Sequence, residues 1–353
     1  SLTVAVGSTD LTGQNFTSTL NTGIIAWDGF NRANETPLTA GGNWGKIAAG
    51  SPIGSVNLTS NAVVAGTGEA LYYWQGAGAF DNASQFARAK VVNASSQVGL
   101  LLLSGTGQAI VTAWGGGTLY IYWYTGNTIQ ANLTTKPSTL QNGDVIEAVL
   151  TGGVVYAKVN GVVVASVANA TSLTTGKPGF ETYNSGGVLD DWEAGTPTLH
   201  TISGTITEGG GLSGVLVTAS GGFSGSGTTD VSGAYTITGV PDGVSNIVLT
   251  PTKAVHTMSL LTRTVTGPVT ADVTGEDFTS TLNTYSITGT ILEDGVGLSD
   301  VVVTASDGFA GSGTTDGSGV YTITGVPYGA TSIVLTPVRA GYARGPPRRA
   351  EGG

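Results

Sequence analysis

The chain has 353 residues, a formal net charge of −10, only 10% charged residues, 57 glycines and no cysteine. The acidic balance argues against nucleic-acid binding, since phosphates require a basic surface. The absence of cysteine excludes disulfides, thiolate metal sites and thiol nucleophiles.

Amphipathic runs of helix formers are almost absent. Segments rich in Val, Thr, Ile and Tyr and bounded by glycine dominate, so the predicted class is all-β, built of several sandwiches. No run of ~18 apolar residues occurs, and no membrane-spanning helix is expected. Low charge with abundant Ser, Thr, Asn and Gly points to a secreted or cell-surface protein. The chain opens at Ser1 with no leader pattern, which reads as a mature form whose leader has been removed. Asn-x-Ser/Thr triplets begin at Asn15, Asn34, Asn57, Asn82, Asn93, Asn132 and Asn169. They are acceptors for N-linked glycans; the alternative is their chance occurrence in a chain rich in Ser and Thr.

Residues 1–22, SLTVAVGSTDLTGQNFTSTLNT, come first. Leu2, Val4 and Val6 alternate onto one face, as in a strand, and Leu11, Phe16 and Leu20 are the further apolar positions. The stretch TGQNFTSTLNT at 12–22 recurs as TGEDFTSTLNT at 274–284, with nine of eleven positions identical. The second occurrence closes a repeat unit, so the chain begins with what is elsewhere an ending.

Residues 23–198 open with WDGFNRANETPLTAGGNWGKI and close with GGVLDDWEAG. Between them, VIEAVLTGGVVYAKVNGVVVASV is three alternating strands punctuated by Gly152-Gly153 and Asn160-Gly161. Asn-Gly between apolar runs is the strongest short hairpin signal. The edge motifs resemble those of concanavalin A-like (laminin-G-like) jelly-roll domains, which open on a D-x-F-x-R-A-[DN] strand and close on a D-[DN]-[FW] strand. The segment TLYIYWYTG at 118–126 sets Tyr120, Tyr122 and Tyr124 on one face and Leu119, Ile121 and Trp123 on the other. Exposed tyrosine rings would suit the apolar faces of sugars; the competing reading is a strand buried on both sides.

Catalytic signals are weak. The paired-carboxylate pattern E-x-D-x-x-E of glycosidases is absent, as is the nucleophile elbow G-x-S-x-G. Asp190, Asp191 and Glu193 read as turn or surface groups around a core Trp192. His200 and His256 have no partner at metal-ligand spacing. The Gly-rich stretches are not followed by a lysine and a helix, so no phosphate loop is expected. No enzymatic activity and no cofactor are assigned. Calcium stays open at Asp-rich edges, but no D-x-D-x-D-G loop places it.

Residues 199–284 and 285–342 are two copies of one unit. The first carries ISGTITEGGGLSGVLVTAS, GSGTTDVSGAYTITGVPDG and IVLTP; the second carries ITGTILEDGVGLSDVVVTAS, GSGTTDGSGVYTITGVPYG and IVLTP. The two align at a constant offset that a single insertion shifts by one. Val215 and Val217 share a face, as do Tyr235 and Ile237. Asp230 and Asp316 are placed to accept backbone N–H bonds in TDxSG turns. The G-x-I opening, the GVxV-type strand and the TDxSGxY…GVPxG run resemble the carboxypeptidase-regulatory-like, or transthyretin-like, β-sandwich family. That resemblance implies extracellular stalk or spacer modules and no catalysis.

The copies differ in length. After IVLTP the first continues through 252–284; the second continues only through 338–353 and ends in a basic tail at 343–353. A counterpart of residues 263–284 is therefore missing from the second copy, and residues 1–22 match it in length and pattern. A sandwich short of a strand exposes apolar side chains and unpaired backbone groups. The expected solution is that the N-terminal strand of one molecule completes the last sandwich of another, which resembles donor-strand complementation in pilins. A head-to-tail contact of that kind generates a filament unless it closes into a ring. The alternatives are a fragment of a longer repeat protein and an arm that folds back within its own molecule. The expected function is thus a subunit of an extracellular filament whose partner is itself. The alternative is a carbohydrate-binding surface adhesin that uses the sandwiches as spacers. Arg339, Arg344, Arg348 and Arg349 concentrate basic charge near the C-terminal end, either for docking on an acidic neighbour or as a solvated tail.

Overall fold

A computed structural model describes residues 24–30, 38, 43–47, 56–60, 62–66, 68–105, 107–125 and 128–341, and none of these is helical. The protein is all-β. Residues 1–22, which hold Leu2, Val4, Val6, Leu11, Asn15, Phe16 and Leu20, lie outside the described residues, as do Asn34 and the tail with Arg344, Arg348 and Arg349. The chain divides into two units. One holds the chain to His200 with 241–245 and 268–270; the other holds 201–240, 246–267 and the chain from Ala271.

The first unit is a jelly-roll sandwich of two antiparallel sheets. In one, the order is β13 (Val162–Ala168), β12 (Val154–Val159), β11 (Val145–Thr151), β6 (Gln85–Ala94), β15 (Gly187–Gly195), β4 (Ala62–Ala65) and β3 (Val56–Thr59), with β1 (Ile24–Asp28) also paired to β15. In the other it is β10 (Thr128–Pro137), β9 (Thr118–Thr125), β8 (Gln108–Gly115), β7 (Val98–Gly105), β14 (Lys177–Tyr183), β5 (Glu69–Trp74) and β2 (Trp44–Lys46). The hairpin reading holds: Asn160 and Gly161 take φ of 51° and 80° between β12 and β13. Two successive positive φ values give the turn the twist that antiparallel strands require.

Period-2 alternation decides which side chains meet between the sheets. Val98, Leu100, Leu102, Ile110, Leu119, Ile121 and Phe180 from one sheet pack with Ala87, Ala89, Ile146, Ala148, Leu150 and Trp192 from the other. The opening and closing motifs converge here. Asp28 pairs with Trp192 across β1 and β15. The Asp28 carboxylate accepts from the Phe30 N–H and the Trp44 indole N–H, both at 2.9 Å. Trp44 lies edge-on to Trp74, Phe180 and Trp192, with ring centroids 5.3, 4.7 and 4.7 Å apart. Such edge-to-face contacts set the ring quadrupoles favourably.

In the second unit the first repeat is a complete sandwich of two four-stranded sheets. One runs β19 (Ala234–Pro241), β16 (Leu199–Thr207), β23 (Phe278–Leu282), β21 (His256–Met258); the other runs β18 (Gly225–Thr228), β17 (Leu216–Gly221), β20 (Ile247–Thr252), β22 (Arg263–Val265). The second repeat pairs β24 (Thr284–Thr290) with β29 (Val320–Pro327), and β25 (Leu292–Glu293) with β26 (Val296–Gly297). Its remaining sheet is β28 (Gly311–Thr314), β27 (Val302–Asp307), β30 (Ile333–Val338). Both TDxSG turns form as expected. Asp230 accepts from the Ser232 and Ala234 N–H groups, and Asp316 from those of Ser318 and Val320.

Candidate functional site

The two repeats amount to one sequence folded twice in different surroundings. In the first, β23 lies parallel to β16, with Phe278 opposite Ile206, and antiparallel to β21. Its inward side chains are Phe278, 2% exposed, and Ser280, 6% exposed. β22 pairs with β20 on the other sheet. In the second repeat β24 stands where β16 does and β30 where β20 does. Among the described residues, β24 pairs only with β29 and β30 only with β27.

Away from β22 and β23 many core positions agree: Val215 and Val301, Val217 and Val303, Ala219 and Ala305, Ile237 and Ile323 are all buried, while Phe309, Pro327 and Ala330 are half-buried where Phe223, Pro241 and Val244 are buried. Beside those two strands they diverge. Ile202, Ile206, Ile247 and Leu249 are all at 0% exposure, whereas their counterparts Ile287, Ile291, Ile333 and Leu335 are half-buried. Buried Pro251 corresponds to exposed Pro337. Neighbouring Val334 and Val338 are 48% and 57% exposed. Among the described residues, the second repeat thus leaves apolar side chains less covered along β24 and β30.

Beside β16 and β24 one pair of positions differs in a specific way. In the first repeat the Tyr235 hydroxyl donates to the Glu276 carbonyl at 2.7 Å. Gly204 lets the Glu276 backbone approach; a Cβ there would collide with its carbonyl. In the second repeat the glycine is retained as Gly289, and a Cβ there would meet the Tyr321 ring instead. Gly289 thus keeps the place of Gly204, with Tyr321 packed beside it.

A second constellation sits on the outer face of the seven-stranded sheet. The alternation read from TLYIYWYTG holds: Leu119 and Ile121 enter the inter-sheet core, and Tyr120, Tyr122 and Tyr124 face the other way. That outer face is itself packed. Ile47, Leu71, Leu101, Ala109, Val111 and Ala113 are buried with Tyr122 and Tyr124, which are 4% and 3% exposed; Tyr120 and Tyr73 are half-buried against them. Among these apolar groups lies a polar cluster that sequence spacing does not reveal. Glu69 and Glu181 come together because β5 pairs with β14, with Glu69 opposite Tyr183. The Tyr122 hydroxyl donates to Glu69 at 2.9 Å and lies 3.4 Å from Glu181, and the Gln97 amide donates to Glu181. Burial pushes the Glu181 carboxyl well above the ordinary carboxylate range, and the charge of Glu69 adds to the rise. Burial likewise raises the Tyr122 phenol, with Glu181 and Glu69 contributing.

The acceptor triplets are scattered over the jelly-roll domain. Asn82 and Asn132 are exposed. Asn57, Asn93 and Asn169 are half-buried, and the Asn169 carbonyl accepts from the Thr171 hydroxyl at 2.7 Å. Asp190 is half-buried and Trp192 fully so. Among the described residues, no group of three or more acidic or histidine side chains is placed to hold a metal ion. No helix among them is long and apolar enough to cross a membrane.

No protein-family model and no curated protein matches the chain. Solved structures are similar to parts of it. A carbohydrate-binding module from Bacillus subtilis, at 8% identity, covers 43% of this chain and 95% of its own, with a TM-score of 0.35. A Bacillus subtilis protein of unknown function with a galectin-like fold, at 12% identity, covers 44% of this chain and 89% of its own, with a TM-score of 0.34. The Bacillus anthracis TIE protein, at 10% identity, is matched over 90% of this chain and 52% of its own, with a TM-score of 0.32.

Proposed function

We propose that the protein is a structural subunit of an extracellular filament. In this reading residues 1–22 of one molecule enter the groove along β24 in the second repeat of the next. The observation that carries it is the paired burial difference. Ile202, Ile206, Ile247 and Leu249 are fully covered beside β22 and β23, and their second-repeat counterparts are not. Sequence supports this occupant, because residues 12–22 repeat the stretch that contains β23 at nine of eleven positions. Phe16 would take the place of Phe278, Ser18 that of Ser280 and Leu20 that of Leu282. Strand addition supplies main-chain pairing for affinity and side-chain pockets for register. Donor and acceptor are different surfaces, so each added subunit leaves one of each free and growth continues. No catalytic step is assigned.

Sedimentation and negative-stain imaging of the full chain, beside a variant lacking residues 1–22, test this reading. The full chain should form polymers. The variant should remain monomeric and bind a peptide of residues 1–22 in trans. Identical sedimentation of the two, or failure of the peptide to bind, would refute it.

A second reading is carbohydrate recognition by the jelly-roll domain, at the rim of the outer face where Tyr120 and Tyr73 are half-buried and Tyr183 is 39% exposed. Glycan binding that survives deletion of residues 1–22 and disappears in Tyr120→Ala would favour it. Tyr122 is already bonded to Glu69, so its substitution reports on the packing of that face.

A further inference from the structure

Trp27 is out of place. The chain has six tryptophans, all among the described residues. Trp44, Trp74, Trp114 and Trp192 are buried and Trp123 is half-buried, whereas Trp27 is 60% exposed. An indole left in water forgoes one of the largest burial gains a side chain offers. β1 alternates, so Ala26 and Asp28 are buried in the sandwich and Trp27 stands on the outer face of the eight-stranded sheet.

That face carries an ordered row of charge. Trp27 lies opposite Glu193, Glu193 opposite Arg88, Arg88 opposite Glu147 and Glu147 opposite Lys158, across β1, β15, β6, β11 and β12. Arg88 donates to Glu193 at 2.6 Å and lies 3.7 Å from Glu147, which accepts from Lys158 at 2.7 Å. The Arg88 guanidinium also sits 5.6 Å from the centroid of the Phe86 ring. Its fork is thus held by two carboxylates and a ring, and little rotamer freedom remains to be lost when a ligand arrives.

Next to this row the closing strand is bulged. Asp190 lies opposite Lys90 and Glu193 opposite Arg88, so β15 runs one residue longer than β6 over the same span. Asp191, inside that span, takes a φ of 48°. Leu189 and Trp192 on either side are fully buried, Asp190 is half-buried and Asp191 is exposed. A left-handed aspartate carries backbone strain, and bulges of this kind re-aim side chains beside functional sites. Here Asp191 lines a groove of about 330 Å³ together with Arg88, Ala89, Lys90, Val145 and Glu193.

The lining selects a class of ligand. Arg88 and Lys90 balance Asp191 and Glu193, so a ligand of either net charge meets repulsion as well as attraction. Cationic donors and carboxylate acceptors stand side by side, which suits hydroxyl groups because each both donates and accepts. The indole beside Glu193 suits a flat apolar face. An uncharged sugar ring has both properties. We propose that the outer face of the eight-stranded sheet holds a binding site for an uncharged saccharide, with Trp27 as stacking platform and Arg88, Asp191 and Glu193 as hydrogen-bond partners. The site lies on the other sheet from Tyr120 and requires neither that reading nor strand insertion.

The exposed indole supplies the assay. Acrylamide quenches Trp27 ahead of the buried tryptophans, so protection from quenching reports contact at this residue. The full chain is titrated with linear oligosaccharides of glucose, mannose, galactose and xylose, and with polygalacturonate as the charged control. At least one neutral saccharide should protect at millimolar concentration, and polygalacturonate should not. Trp27→Ala removes the probe, so its affinity is read by calorimetry and should fall about tenfold or more. Asp191→Gly suits the positive φ and removes the carboxylate while keeping the fold. Its affinity should fall about tenfold, with no loss of melting temperature. Absence of protection by every neutral saccharide would overturn the proposal. So would equal protection by polygalacturonate, or affinity that Trp27→Ala leaves unchanged and Tyr120→Ala abolishes.

Discussion

Replacing Phe16 by alanine is the most direct probe of strand insertion, because the molecule carries its own control. Phe278 occupies the corresponding position in β23 and is 2% exposed. Truncating a buried phenylalanine to alanine costs about 3–5 kcal/mol, from lost transfer free energy and the cavity left behind. If Phe16 enters an equivalent pocket, the lower figure, about 3 kcal/mol, already weakens association by a factor of roughly 150. The same substitution at position 278 acts on a different equilibrium. It removes a core side chain from the complete sandwich and should lower that domain's unfolding temperature by more than about 10 °C, at ~4–8 °C per kcal/mol for a domain of this size. The expected pattern is therefore crossed. Phe16→Ala raises the critical concentration for assembly about 100-fold or more and leaves subunit melting unchanged. Phe278→Ala depresses melting in the monomer. Light scattering against concentration and calorimetry of dilute protein separate the two. If Phe16→Ala assembles like wild type, residue 16 is not buried at the contact. If instead it lowers melting of dilute subunits, independent of concentration, the arm folds back on its own chain and no filament follows.

Three other substitutions probe separate parts of the structure. Tyr235→Phe removes the bond to the Glu276 carbonyl and should destabilise the first repeat by about 1 kcal/mol; Tyr321→Phe should leave dilute subunits unchanged and weaken assembly about fivefold, and equal effects in both assays would contradict the proposed role of Tyr321. Glu181 carries a raised carboxyl pKa through burial, so its stabilising contribution is full below the unfolded value and is lost as pH rises through the folded one. Urea midpoints of Glu181→Gln should therefore gain on wild type as pH is raised through and beyond the ordinary carboxylate range, and a constant difference would show that the carboxyl does not titrate in the folded domain. Asp28→Ala leaves the Phe30 N–H and the Trp44 indole N–H without their acceptor and should lower jelly-roll stability by about 2–3 kcal/mol, read by equilibrium unfolding.

Much of the architecture was legible because strands alternate with a period of two. That period placed Tyr120, Tyr122 and Tyr124 opposite Leu119, Ile121 and Trp123, and Asn160-Gly161 fixed the turn between β12 and β13. The repeat offset identified equivalent positions across the two sandwiches, and Asp230 and Asp316 make the turn bonds their spacing implied. The period cannot say which faces are covered. It therefore left open whether Tyr122 and Tyr124 meet solvent, and both are buried. Nor can local pattern supply long-range register. Glu69 and Glu181 stand far apart in the sequence and meet only because β14 lies beside β5. A search for carboxylates at short spacing passes over that pair. Trp44, Phe180 and Trp192 are likewise joined by sheet order, and nothing nearby in sequence links them.

The state of the second repeat bears on the energetics of association. Val301, Val303, Ala305 and Ile323 are buried like their counterparts, and the added exposure includes the side chains of Ile287, Ile291, Ile333 and Leu335 on and after β24 and on β30. A groove already formed loses little conformational freedom when filled, so the ordering cost of association falls mainly on the arm. That cost grows with every residue immobilised, which favours a donor whose anchors are closely spaced. Phe16, Ser18 and Leu20 lie at alternate positions, and their counterparts in β23 run over Phe278–Leu282. In the proposed assembly, a short, uncharged strand would concentrate burial and backbone pairing where little chain must be ordered. On the proposed reading, the apolar edge that would be an aggregation hazard in a finished domain would become a specific contact once another copy supplied its sequence-matched strand.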